Sequence, residues 1–355
     1  MRPSAILSEA WRNLATGTSR AAVFGLGLAV VCGALAVADA RNIVALEQRA
    51  AEFVASGASV RVLSAESSVN GSSCDALSGV PGVGGAGALR ERAALRLDAM
   101  PDNPLPAYTV TPGLAAVLGV ETVTAEGVWL SEETARTLEA TPGQSLGTAE
   151  GALTVAGTFP YPDDGRDVRP GYAALVPSAD TDPFDECWAR VWPPSESTQE
   201  LLLSAVAADS PADTALTTGQ LNASLGETFD GAAEFSDRIT RFVPPATALA
   251  GLLLGFVSVR LRRLEFASAL HVGQSRRSQL VTALLETGVW STSGLVLAGC
   301  ALVLASHAGN PGEPGAVLAV SGPGLVAAVP ACLAGAALAL AGVRERHLFR
   351  YFKER

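Results

Sequence analysis

Four stretches of this sequence run without charge for the length of a membrane crossing. Ala21 to Ala38 is 18 residues with none, and Phe242 to Val259 is another 18. Leu280 to Ser306 is 27 residues with one charge, Glu286, and Ala316 to Val343 is 28 with none. Roughly 20 apolar residues cross a bilayer core as a helix. The pattern therefore predicts four spanning helices, at 21–39, 241–260, 280–306 and 316–343. The last two are long enough to tilt or extend beyond the core, and Pro330 predicts a kink in the fourth. Ahead of the first span, Ile6, Leu7, Ala10, Trp11 and Leu14 recur at helical spacing, which predicts an amphipathic helix within 1–20. Arg2, Arg12 and Arg20, the apolar run and "AVADA" also resemble a cleavable signal peptide. The long amphipathic lead, and an apolar run beyond the usual length of about 7–15 residues, favour a retained helix.

Between the first two spans, over 40–240, the pattern becomes that of a soluble domain. Short β-like runs alternate with turns: "ASVRVLSA" from Ala58, "ALRL" from Ala94, "AYTVTP" from Ala107, "GVWLS" from Gly127 and "ALTVAGTFPYP" from Ala152. "SEETARTLEA" predicts a helix capped by Ser131, and "STQELLLSAVAA" from Ser197 a second. "VNGSSCDALSGVPGVGGAG" reads as loops around a short element, and "GETFDGAAEFSDRITR" as a helical stalk into the second span. Strands mixed with helices predict an α+β domain. The expected fold is an α-helical membrane protein of four transmembrane helices, with an α+β extracytoplasmic domain inserted between helices 1 and 2.

Charge orients this arrangement. The chain is 48% hydrophobic and 17% charged, against about 25% charged in soluble domains. Basic residues gather in three places: Arg2, Arg12 and Arg20 before the first span, five arginines in the loop 261–279 and its edge (Arg260, Arg262, Arg263, Arg276, Arg277), and five basic residues in the tail 344–355. The segment 41–240 instead sets 11 arginines against 28 acidic residues, and the short loop 307–315 has no Lys or Arg. The excess of basic residues in cytoplasmic loops predicts both termini and the loop 261–279 in the cytoplasm of a bacterial cell, with the large domain outside the cytoplasmic membrane. Cys32, Cys300 and Cys332 fall in apolar runs, where cysteine acts as a small hydrophobe. Cys74 and Cys187 lie in the outer domain, a compartment that permits disulfides, and they are predicted to pair.

The candidate chemistry is informative mainly by exclusion. The histidines are His271, His307 and His347, none of them in the outer domain. A Ser–His–Asp or Cys–His hydrolase there lacks its base. "YPDDGRD", with Asp163, Asp164 and Asp167, reads as a solvated turn and lacks the ligand spacing of a calcium loop. No G-x-x-x-x-G-K-[ST] is present to cradle ATP phosphates, so no cofactor is expected on this chain. An acidic domain disfavours nucleic acid; its acidity serves solubility and leaves open a cationic peptide or a protein partner. Glu286 is expected near the inner boundary, reaching interfacial water or a neighbouring arginine. Glycines in "FGLGLAVVCG" allow close helix approach.

The arginine loop is the most distinctive segment. In "RLRRLEFASALHVGQSRRSQL", Leu261, Leu264, Ala267 and Leu270 recur near helical spacing. Gly273 suits a helix end and Ser275 the cap of the next helix, which predicts a helix–turn–helix hairpin. Contact with anionic membrane lipid explains some of its arginines, but not the interleaved Glu265, His271 and Gln274. "RRLEFASALHVGQSRRSQLVTALLETGVW" resembles the cytoplasmic loop and third helix of FtsX-like/MacB-like ABC transporter permeases. The matching positions are Arg262, Arg263, Glu265, Phe266, Ala267, Leu270, Gly273, Ser275, Arg276, Arg277, Leu284, Leu285 and Glu286. "EAWRNL" resembles the family's amphipathic first helix, and "GVWLSEETARTLEATPGQSLG" with "LTVAGTFPYP" its outer domain. His271 and Val272 depart from the small or aliphatic residues more usual there. The resemblance implies a permease subunit without ATPase activity of its own, with Arg262, Arg263, Glu265, Phe266, Leu270, Gly273, Ser275, Arg276 and Arg277 in the loop that docks an ABC ATP-binding subunit. ATP and Mg would sit on that partner, and a second permease chain, identical or related, would complete the assembly. The output it implies is substrate export, lipoprotein extraction or activation of an outer cell-wall hydrolase.

Overall fold

A computed structural model describes residues 3–124, 126–194, 197–211, 213–345 and 352. Arg2 and the basic-tail residues Arg346, Arg350, Lys353 and Arg355 lie outside the described residues. In chain order, helix α1 (Pro3–Ala15) and helix α2 (Ala21–Ala55) come first, followed by strand β1 (Val60–Val69), α3 (Gly71–Ala76), β2 (Val83–Leu97), β3 (Met100–Val110) and α4 (Leu114–Leu118). Next are β4 (Glu121–Thr122), β5 (Val128–Ser131), α5 (Glu132–Thr137), β6 (Ser145–Thr148), β7 (Gly151–Phe159), β8 (Ala174–Pro177), β9 (Phe184–Val191), α6 (Thr198–Leu203) and β10 (Thr217–Gln220). The chain then runs through α7 (Gly231–Asp237), α8 (Val243–Arg260), α9 (Arg263–His271), α10 (Arg276–His307) and α11 (Pro314–Ala341). The described residues form two compact units: a helical one, up to Arg49 and from Gly231 on, and an inserted one, Ala50–Asp230. About ten residues at each end of the expected 40–240 domain therefore belong with the helices.

Among the described residues, four helices are long and apolar enough to cross a membrane. Helix α2 does not stop at the expected residue 39; it continues unbroken to Ala55. The expected stalk is broken, with the short α7 and a 3-10 turn over Ile239–Phe242 preceding α8. Helix α11 runs continuously through Pro323 and Pro330. The core of the helical unit joins Leu28, Cys32, Ala36 and Val44 of α2 to Trp290 and Leu302 of α10 and to Val317 and Cys332 of α11. Helices α8 and α11 meet backbone to backbone. A Cβ on Gly255 would lie 2.0 Å from the Cys332 carbonyl oxygen, and one on Gly335 2.0 Å from that of Leu252. Glycine is required at both positions, and the close approach gives a wide van der Waals contact between the two helices.

The inserted unit is a mixed sheet in the order β10-β1-β9-β2-β3-β8-β5-β7-β4, with β6 pairing β2 and β7. The β3–β8 and β5–β7 pairs are parallel, and the others antiparallel. Side chains alternate between the two faces of a strand. Leu63, Cys187 and Ala189 pack with Leu202 of α6 on one face, while Val60, Trp188 and Leu89 pack with Leu114 of α4 on the other. The expected strands overlap β1, β2, β3, β5 and β7. In the glycine-rich "GVGGAG", expected as a loop, all but Gly82 belongs to the start of the 15-residue β2. Ser131 caps α5 as expected, its Oγ accepting the Thr134 N–H at 3.0 Å. Cys74 and Cys187 form the expected disulfide, with Cα atoms 5.8 Å apart, joining α3 to β9.

Candidate functional site: a polar knot beneath the hairpin

The arginine-rich segment folds as the helix–turn–helix that its pattern predicts. Helix α9 ends at Val272, and Gly273 has a φ of +92°, in the left-handed region that glycine adopts freely. Ser275 caps α10, its Oγ accepting the Ser278 N–H at 3.2 Å. The two helices are tied together by Gln279, buried in the first turn of α10. Its Nε2 donates to the Phe266 carbonyl at 2.9 Å and to Gln274 Oε1 at 3.3 Å. Phe266 and Ala267 pack against Val259, Ala283, Ala339 and Val343, with Leu264 and Leu270 at the margin.

Behind this hairpin lies Glu286, 3% exposed. One of its carboxylate oxygens accepts Asn13 Nδ2 of α1 at 2.7 Å. The other accepts Nη1 of Arg262. Arg262 also donates Nε to Glu265 at 2.8 Å and stacks over the Phe266 ring at 5.2 Å. Burial disfavours the Arg262 cation, but Glu286 and Glu265 outweigh it and hold its pKa above the ordinary arginine value. Glu286 thus meets a neighbouring arginine as expected, but that arginine is Arg262 rather than Arg276 or Arg277, and the carboxylate itself is buried.

The expected site residues consequently divide into two sets. Arg262, Phe266 and Leu270 face inward and brace the hairpin. Glu265, Gly273, Ser275, Arg276 and Arg277 are exposed, Arg263 is half-buried, and Val272 at the turn is 85% exposed. The outward face is thus a bare apolar residue flanked by cations and one carboxylate. His271 is held by Glu345 Oε1, 2.8 Å from its Nδ1. Neither Asn13 nor Gln279 stands out in the sequence; the one signal for Gln279 is an amide in the first turn of an otherwise apolar helix, whereas Val272 already stands out beside His271 as a departure at the turn.

No protein-family model matches the chain, and no curated protein does. Solved structures do. The chain is similar to the periplasmic region of MacB from Actinobacillus actinomycetemcomitans, at 9% identity and a TM-score of 0.34, covering 46% of this chain and 89% of that one. It is similar to a domain of a permease protein from Porphyromonas gingivalis, at 17% identity and a TM-score of 0.33, covering 47% and 92%. The extracellular domain of the ABC-type transporter YknZ from Gram-positive bacteria is similar at 13% identity and a TM-score of 0.28, covering 40% and 88%.

A second polar knot, absent from the sequence reading, sits where α2 passes its apolar run. Asp39 is 1% exposed. Its Oδ1 accepts Arg238 Nε at 3.3 Å and its Oδ2 accepts the Ser321 hydroxyl at 2.8 Å. Arg238 donates further to the Phe235 carbonyl at 2.6 Å and lies over that ring. One carboxylate thereby joins α2, the segment before α8, and α11. In "YPDDGRD", Asp164 is paired with Arg166 and Asp167 with Arg169.

Proposed function

We propose that this chain is the permease subunit of an ABC transporter of the MacB/FtsX type. A separate ATP-binding subunit, holding ATP and Mg, docks on the α9–α10 hairpin from the cytoplasm. ATP hydrolysis there is coupled to movement of the inserted domain outside the bacterial membrane, for export or extraction of a substrate. A second permease chain completes the assembly.

The observation that carries this reading is the knot at Glu286. A single buried carboxylate is shared by α1, the start of the hairpin and the body of α10. Separating it from Arg262 leaves an unpaired buried charge, a cost of about 3–5 kcal/mol. At that cost the hairpin and the base of α10 move together, and a push on the outward face reaches the helix instead of bending the loop. The outward face suits a protein partner: exposed Val272 supplies apolar contact, and Arg276, Arg277 and Glu265 supply the charge pattern that fixes register.

The test is capture of the ATPase. The tagged chain is solubilised gently from its own host, and co-purifying proteins are identified by mass spectrometry beside a Glu265→Arg, Arg276→Glu variant. Recovery of a P-loop ATPase with the native chain, and its loss from a variant that remains folded, supports the reading. Absence of any P-loop ATPase from the native preparation contradicts it.

A further inference from the structure

The inserted domain carries a groove of about 790 Å³ that no part of the docking account uses. It opens at the end of the sheet where β10 is the terminal strand. Leu221 donates its N–H to the Val60 carbonyl at 3.0 Å. In an antiparallel pair such bonds alternate, so the N–H and C=O of Gln220 and Thr218, opposite Arg61 and Leu63, turn away from β1 toward the open edge. Both residues line the groove. Val191 and Leu202, both buried, form its apolar floor together with Phe229. Glu227 stands on its rim, where Arg61 donates to its main-chain oxygen at 2.5 Å and lies close enough for its charge to feel the Glu227 carboxylate.

The surroundings reinforce that sign. Residues 50–230 carry 8 arginines against 25 acidic residues, an imbalance that draws cations to the surface and repels anions. Three requirements of an extended ligand therefore coincide: outward-turned main-chain groups at a sheet edge, an apolar seat, and an acidic surround.

We propose that this groove binds an extended, positively charged peptide segment. Its main chain adds to the open edge of β10, an apolar side chain sits between Leu202 and Phe229, and a lysine or arginine meets Glu227. The floor is also joined to α2. Phe229 packs on Phe53 and Trp192 with ring centroids 5.8 Å away in each case, and Phe53 lies in the last turn of α2, whose other end is the first apolar span. A ligand that shifts Phe229 thus bears on that helix.

The test needs no ATPase, so its failure is separable from failure of the docking account. The full chain in phosphatidylcholine nanodiscs is titrated into a fluorescein-labelled hexapeptide of alternating lysine and valine at about 0.15 M salt, with empty discs as reference. Saturable binding is expected. It should weaken about tenfold or more in Glu227→Lys, which reverses an exposed charge, and in Thr218→Trp, which fills the groove; a glutamate–valine hexapeptide should bind as weakly. Absence of saturable binding would overturn the proposal, as would equal binding of the glutamate peptide. Binding unchanged in both variants would also overturn it, assigning the attraction to the diffuse acidic surface.

Discussion

Removing Arg262 should cost the helical unit more than any other loop arginine. In Arg262→Ala the Glu286 carboxylate keeps only the Asn13 amide, and stays 3% exposed unless the hairpin opens. Breaking a buried pair from one side costs about 3–5 kcal/mol. Replacing both members by apolar residues of similar volume is often neutral or stabilising, so Arg262→Met with Glu286→Leu should recover most of the loss. Arg276→Ala, at an exposed position, should stay within about 0.5 kcal/mol. Equilibrium unfolding in mixed micelles, followed by tryptophan fluorescence, measures these chains together with the single variants Arg262→Met and Glu286→Leu, so that a double-mutant cycle isolates the pair. A coupling energy of about 0.5–3 kcal/mol is expected for groups in one network. An Arg262→Ala loss no larger than that of Arg276→Ala would refute the reasoning, as would a double variant weaker than the sum of its singles.

Three further outcomes follow from the packing. Gly255→Leu should separate α8 from α11, because its side chain begins 2.0 Å from the Cys332 carbonyl; overpacking costs about 1–3 kcal/mol or more, read as a lowered thermal midpoint, whereas Gly288→Leu, with open space around it, should not. Replacing Cys74 and Cys187 by alanine should cost the inserted domain about 2–5 kcal/mol, measured as a shift in denaturant midpoint that reductant reproduces in the native chain only. Asp167 gives a pH dependence: burial pushes its carboxyl up, but hydrogen bonds from Arg169 outweigh this and hold it below the ordinary range. The folded value lies under the unfolded one of about 3.9, so the contribution is complete above that pH and lost as pH falls through the folded value. Between about pH 6 and pH 3 the native chain should therefore lose more stability than Asp167→Asn; equal losses would show that Arg169 does not hold that carboxylate in the folded state.

The parts of the structure legible in the sequence are those set by local pattern. Apolar runs of span length gave helices, and Gly273 and Ser275 gave the turn and cap of the hairpin because positive φ and N-capping are local requirements. Strand β9 was not legible. It sits inside the sheet yet carries Asp185, Glu186 and Arg190, whose needs are met from afar: Arg169 reaches Glu186 at 2.9 Å, and the Ser67 N–H reaches Asp185 at 2.9 Å. The start of β2 was masked by its glycines, of which Gly87 is there for packing; a Cβ on it would meet the Leu114 nitrogen at 2.2 Å. The inward turn of Arg262 was equally hidden, because Glu286, 24 residues on, selects it rather than anything in the motif. Asp39 directly follows an uncharged run and looks like its boundary, and only Arg238 and Ser321 reveal it as an interior junction.

Coupling to an ATPase through the hairpin is most directly tested by photocrosslinking in the living host. A photoreactive amino acid at Val272, the exposed turn, is compared with one at Val303 on α10, and adducts are identified by mass spectrometry. A P-loop ATPase joined at Val272 and absent at Val303 is expected. Adducts at Val272 with lipid alone, or with no P-loop protein while the chain remains folded, would contradict that coupling.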